Sequence, residues 1–284
     1  MAFLGSGRWL PCRTGFATGR WSALSVRSAR ATEDHERLLR VPEITVYFWI
    51  VKGLSTALGE ATSDYLVREL HPAPAVVLGF ACFVGAMAVQ LTRRRYVAWS
   101  YWLAVVMVGV FGTMAADVLH VGLGVPYLVS TVLFAASLAA IFVAWYRTEK
   151  TLSIHSIDRP TREVFYWGAV IATFALGTSV GDLTAITFHL GYATSVLVFV
   201  AVIAIPILGF WRFGWPATLA FWFAYVVTRP IGATLADWTV KPAGAGGLEW
   251  SEGVVCLALA AAIVVVVGSL SVTRLDVQTP APGQ

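Results

Sequence analysis

One spacing recurs four times in this chain and fixes most of what it can become. An aromatic residue precedes a tryptophan, glycine follows ten residues after that tryptophan, and aspartate follows fifteen after it. The copies run from Phe48-Trp49 to Gly59 and Asp64, and from Tyr101-Trp102 to Gly112 and Asp117. The third runs from Tyr166-Trp167 to Gly177 and Asp182, and the fourth from Phe221-Trp222 to Gly232 and Asp237. The chain holds seven aspartates, and four of them occupy this one position. Chance does not produce that register, so the chain is a tandem repeat.

Each copy contains two apolar runs. The first runs cover about 44–66, 97–119, 164–188 and 215–238, and the second about 75–92, 126–146, 192–211 and 253–272. At 1.5 Å per helical residue each reaches across a hydrocarbon core of about 30 Å, some near the minimum length. Of 284 residues only 13% are charged and 58% are hydrophobic, against roughly 25% charged in soluble domains. So few charges cannot cover a globular surface of this size, and lipid must be the solvent for much of it. The expected fold is an all-α polytopic transmembrane bundle of eight helices, from four tandem two-helix repeats.

Lysine and arginine set the expected orientation. Loops on the side of the two termini carry thirteen, among them Arg93, Arg147, Arg212 and Arg274, and the opposite loops carry Arg68 and Lys241 only. Both termini are therefore expected in the cytoplasm. An even number of spans per repeat keeps the copies parallel. Repeats are expected over 41–95, 96–159, 160–212 and 213–274, with a C-terminal tail over 275–284. Residues 1–40 form a basic, Arg-rich tail expected to be disordered; its composition also suits a transit peptide, and it lacks the apolar stretch of a secretory signal. Net charge of +4 arises from loop residues, so nucleic acid is not an expected partner. Cys12, Cys82 and Cys256 have no metal-ligand spacing, and an odd count argues against a disulfide framework.

The stretches VPEITVYFWIVKGLSTALGEATSDYL, EKTLSIHSI, FALGTSVGDL and TRPIGATLAD resemble characteristic segments of a bacterial family of four-repeat integral membrane proteins. Its repeat is of unknown function, with two spans and a tryptophan per copy, and its members are described as membrane-anchored. The resemblance covers roughly residues 43–273. It implies an inner-membrane location and eight helices, and it supplies no activity.

Two stripes organise the first helix of each repeat. Gly59 and Ser63, Gly112 and Ala116, Gly177 and Gly181, Gly232 and Ala236 lie four apart on one face. Such small pairs let helix backbones approach closely in lipid, so these faces are expected at helix–helix contacts. The adjacent stripe reads Thr56-Glu60-Asp64, Gly109-Thr113-Asp117, Phe174-Thr178-Asp182 and Arg229-Ala233-Asp237. It is expected to line the interior and to set four aspartates at one height. With Trp49, Trp102, Trp167 and Trp222 as interfacial markers, Glu60 lies about 16 Å in, Arg229 about 10 Å and the aspartates about 22 Å. Glu60 and Arg229 would each cost about 2.5–3.5 kcal/mol if they faced lipid. They carry either function or a structural ion pair, and the aspartates either a site or simple helix ends near water. Lys52 is shallow enough to snorkel, and Pro230 is expected to kink its helix beside Arg229.

His120 lies three residues after Asp117 and His189 seven after Asp182, so each is a candidate ligand beside an acidic outer site, or an ordinary interfacial histidine. No HExxH, Walker A or dinucleotide-binding pattern occurs; the GxSxG match at Gly177–Gly181 lies inside an apolar run and not at a strand-to-helix elbow, and neither an enzymatic activity nor a cofactor is expected. The leading expectation is a transporter or channel for a small solute, favouring a cation, with Glu60, Asp64, Thr113, Asp117, Thr178, Asp182, Arg229 and Asp237 along its path. The alternative is a non-transporting scaffold or sensor whose buried charges are structural. An open polar cavity along the stripe would favour the first, and a dry, fully paired interior the second.

Overall fold

The computed structural model describes residues 39–93 and 95–278. The structure expected for most of residues 1–40 and of 275–284 therefore lies outside the described residues. Among the described residues, eight long α-helices form the bundle and no strand occurs. They are α1 (Val46–Leu70), α2 (Pro72–Thr92), α3 (Ala98–Asp117), α4 (Tyr127–Glu149), α5 (Pro160–Asp182), α6 (Tyr192–Phe213), α7 (Ala217–Val240) and α8 (Glu252–Thr273). All but α1 are apolar as well as long enough to cross a membrane. The exception has a direct cause, since Lys52 and Glu60 lie in α1 and both are buried among protein.

Local signals set the helix ends. The Thr45 hydroxyl accepts from the Phe48 amide at 3.4 Å and caps α1. His71, at φ +65°, ends that helix, and Pro72 begins the next without a linker. After Asp117 and Asp182, α3 and α5 each widen into a π-helical turn, Val118–Gly122 and Leu183–Thr187.

The odd-numbered helices form an inner ring and the even-numbered ones an outer shell. Within the apolar window of each span, 61–72% of residues are buried in α3, α5 and α7, against 17–28% in α2, α4, α6 and α8. The ring is cyclic: α1 packs on α3, α3 on α5, α5 on α7, and α7 back on α1. The glycine ten after each tryptophan makes every one of these contacts. A Cβ on Gly59 would lie 2.8 Å from Gly109 Cα, and on Gly112 2.9 Å from Phe174 Cβ. On Gly177 it would meet Arg229 Cγ at 2.1 Å, and on Gly232 Thr56 Oγ1 at 1.9 Å. Each glycine thus receives the residue seven after the tryptophan of the next repeat, and the fourth repeat closes on the first. Ser63, Ala116, Gly181 and Ala236 follow one turn later, all of them buried.

The outer shell is offset by one repeat. Each even helix packs chiefly on the odd helix of the following copy: α2 on α3, α4 on α5, α6 on α7, and α8 on α1. Phe83 of α2 stacks on Phe111 of α3 with ring centroids 5.1 Å apart, and Thr62 of α1 reaches Cys256 of α8 at 3.7 Å. A two-helix repeat is therefore a unit of sequence and not a self-contained packing unit.

The chain ends also interlock. The Glu43 amide donates to the Asp276 carbonyl at 2.8 Å, the Tyr96 amide donates to the Leu39 carbonyl at 2.9 Å, and the Gln278 amide nitrogen donates to the Pro42 carbonyl at 3.1 Å. Arg40 pairs with buried Glu163. Residues 39–40 and 275–278, assigned above to tails, are thus docked on the bundle: 39–40 on Tyr96 and Glu163, and 275–278 on the segment that leads into α1.

Candidate functional site

Four parallel helices with one repeated pattern stack equivalent positions in layers along the ring axis. At the N-terminal end of the odd helices, Phe48, Tyr101, Tyr166 and Phe221 are buried, and the Tyr101 and Tyr166 hydroxyls share a hydrogen bond. The tryptophans beside them, expected at the membrane boundary, lie inside the bundle: Trp102, Trp167 and Trp222 are buried, and only Trp49 is partly exposed. The Trp222 indole donates to the Leu152 carbonyl at 2.9 Å. Close helix packing at this end leaves these rings no path to the surface.

Lys52 departs from expectation more sharply. It is fully buried and does not snorkel. Its ammonium lies 4.1 Å from the ring centroids of both Phe174 and Tyr225 and has no hydrogen-bond acceptor. The aromatic layer blocks its route to water, so the two ring faces take the place of solvent around its nitrogen.

Deeper in, Arg229 enters the ring from α7 and is completely buried. Its Nη2 donates to Glu60 Oε2 at 2.9 Å, to Thr113 Oγ1 at 2.5 Å and to Thr178 Oγ1 at 3.0 Å. Its Nη1 donates to the Thr56 carbonyl at 3.1 Å. The Thr113 and Thr178 hydroxyls donate in turn to Glu60 Oε2 at 3.0 and 3.1 Å. The equivalent position in the fourth repeat is Ala233, and it contributes no polar group to this layer. Glu60, Thr113, Thr178 and Arg229, expected along one interior stripe, are thus in direct contact. Arg229 also lies over Phe174, 4.7 Å from the ring centroid, so Phe174 packs against both Lys52 and Arg229.

The four aspartates occupy the next layer and divide into two pairs. Lys241, just past α7, reaches Asp64 at 2.5 Å and Asp237 at 3.4 Å. Burial opposes the charge on Lys241, yet Asp237 and Asp64 hold its ammonium above the ordinary lysine range. Asp117 and Asp182 have no basic partner among the described residues. His120, in the π-turn after Asp117, joins them: a ring nitrogen of His120 and one oxygen of each carboxylate lie within 4.8 Å of one another. His71 and His189 are exposed and stand outside this cluster. Sequence reasoning missed the role of Lys241. The only signal was its i,i+4 spacing from Asp237, because Asp64 is remote in sequence.

The family model described as Repeat of Unknown Function (DUF347) matches residues 47–96, 100–151, 165–214 and 220–276. The chain belongs to this family. The matched copies include the aromatic layer, the contact glycines and the four aspartates of the ring. No curated protein and no solved structure matches the chain.

Proposed function

We propose that this four-repeat membrane protein moves a small cation along the axis of its inner ring. The observation that carries this reading is the pair of carboxylates, Asp117 and Asp182, at the aspartate end of the ring without a basic partner among the described residues. Below them lie the hydroxyls of Thr113 and Thr178 and the carboxylate of Glu60, oxygen ligands of the kind that replace water around a cation. Arg229 and the aromatic layer close the axis, so passage requires the Glu60–Arg229 pair to separate. Such alternation suits a carrier better than an open pore.

The test is flux into vesicles reconstituted with the full chain, using dyes for protons, sodium, potassium and manganese(II). At least one cation should equilibrate faster than in empty vesicles. Joint Asp117→Asn and Asp182→Asn replacement should abolish that flux with little change in melting, because neither carboxylate is held by a base. Wild-type vesicles indistinguishable from empty ones for every cation would refute transport.

A second reading, a scaffold or sensor, is favoured by the positive charge on the axis. Lys52 and Arg229 both face Phe174, and two basic side chains filling the axis oppose cation passage. In that case the same vesicles show no flux, and the ion pair serves packing alone.

The proposed location is a bacterial cytoplasmic membrane with both termini inside, from the excess of Lys and Arg at that end. A phosphatase fused after residue 274 should be inactive, and a green fluorescent protein fused there should glow. An active phosphatase would reverse the topology.

A further inference from the structure

We propose that Asp117, His120 and Asp182 bind one first-row transition-metal ion, of the manganese(II) or zinc(II) kind. The inference rests on the cation reading above and names its substrate class.

The unequal surroundings of the two His120 ring nitrogens point to a ligand. Ser130 Oγ lies 3.0 Å from the Tyr127 carbonyl, and Ser179 Oγ lies 3.1 Å from the Ala175 carbonyl. Both hydroxyl oxygens also lie near His120 Nε2, at 2.5 and 3.4 Å. Where the serine hydroxyls donate to these helix carbonyls, they accept from Nε2–H and leave the imidazole lone pair on Nδ1. Nδ1 is buried and has no hydrogen-bond partner, in a residue only 8% exposed. A buried nitrogen with an unused lone pair is costly unless something binds it. A ring held through Nε2–H by a second-shell acceptor is also the usual arrangement of a metal-bound histidine.

Charge balance and backbone agree. Lys241 engages Asp64 and Asp237 and leaves Asp117 and Asp182 to a different cation. The π-turn that places His120 beside them begins directly after Asp117, and its counterpart begins directly after Asp182. The first and fourth repeats have no π-turn at this point, and π-turns of this kind recur at functional sites. Ligands of one ion at about 2.1 Å lie roughly 3–4 Å apart, so the cluster needs to contract by about 1 Å. One imidazole and two carboxylates, with remaining positions for water, favour manganese(II), iron(II) or zinc(II) over magnesium or calcium.

The experiment titrates manganese(II) into the purified full chain in detergent and follows loss of the free-ion paramagnetic signal. One ion should bind per chain, zinc(II) should displace it, and a tenfold excess of magnesium should not. Asp117→Asn, Asp182→Asn and His120→Gln should each weaken binding at least about tenfold, while Glu249→Gln, at a carboxylate of the nearby loop, should leave it unchanged. Pulsed spectra of the wild-type complex should show imidazole-nitrogen coupling, a readout that needs no variant to fold. Absence of that coupling, equal binding in the three variants, or equal displacement by magnesium would overturn the site. Binding without vesicle flux keeps the site and removes transport; flux with binding unaltered in the variants does the reverse.

Discussion

Replacing Arg229 by methionine is expected to lower the melting temperature of the detergent-solubilised protein by about 10 °C, from a loss of roughly 3–5 kcal/mol. The guanidinium is the hub of its layer and donates to Glu60, to the Thr56 carbonyl and to the Thr113 and Thr178 hydroxyls. Without it the Glu60 carboxylate, 4% exposed, keeps only two hydroxyl donors and has no compensating charge. The loss comes mainly from stranding that charge, since a buried pair gains little net stability over apolar side chains of equal volume. A double variant with Glu60→Gln and Arg229→Met removes both charges, and it should recover most of the lost stability. Thermal unfolding of the wild type, the single variant and the double variant measures this directly. A single variant that melts with the wild type would show that the ion pair is not part of the folded ring.

Leucine at Gly232 or Gly177 should cost at least about 1–3 kcal/mol and reduce the folded fraction on size exclusion. At Gly232 even a Cβ would meet Thr56 Oγ1 at 1.9 Å and the Ala57 amide nitrogen at 3.0 Å, and at Gly177 it would meet the Arg229 stem and Pro230. Each leucine would force two ring helices apart and pull Arg229 or Thr56 out of register with Glu60. Gly85 of α2 provides the contrast, since nothing lies within 4 Å of its Cβ position. Gly85→Leu should melt at or above the wild type, because leucine also forms helix better than glycine. Equal melting of all three variants would remove close packing as the basis of the repeated glycine.

Much of this architecture is legible in the order of residues. Helix length, the fourfold register, the small-residue face and the shared height of four aspartates all follow from spacing along one helix, because 3.6 residues per turn fixes which side chains lie on one face. The expectation that Glu60 and Arg229 avoid lipid follows from the cost of exposing either charge to it. Residue order alone does not say which face meets which neighbour. The offset of α2 onto α3, the closure of α7 on α1, and the docking of residues 275–278 against 39–43 depend on fits between segments far apart in the chain. The same holds for the division of the aspartates. They are equivalent by repeat, yet Lys241 reaches only Asp64 and Asp237, and the His120 turn reaches only Asp117 and Asp182. Lys52 and the tryptophans were expected near water by depth alone, but lateral packing buries Lys52 and three of the four indoles. Sequence determined the helices and the chemistry on each face. Tertiary structure decided the partners, because pairing depends on long-range ring closure and on the length and angle of each side chain, neither of which is periodic.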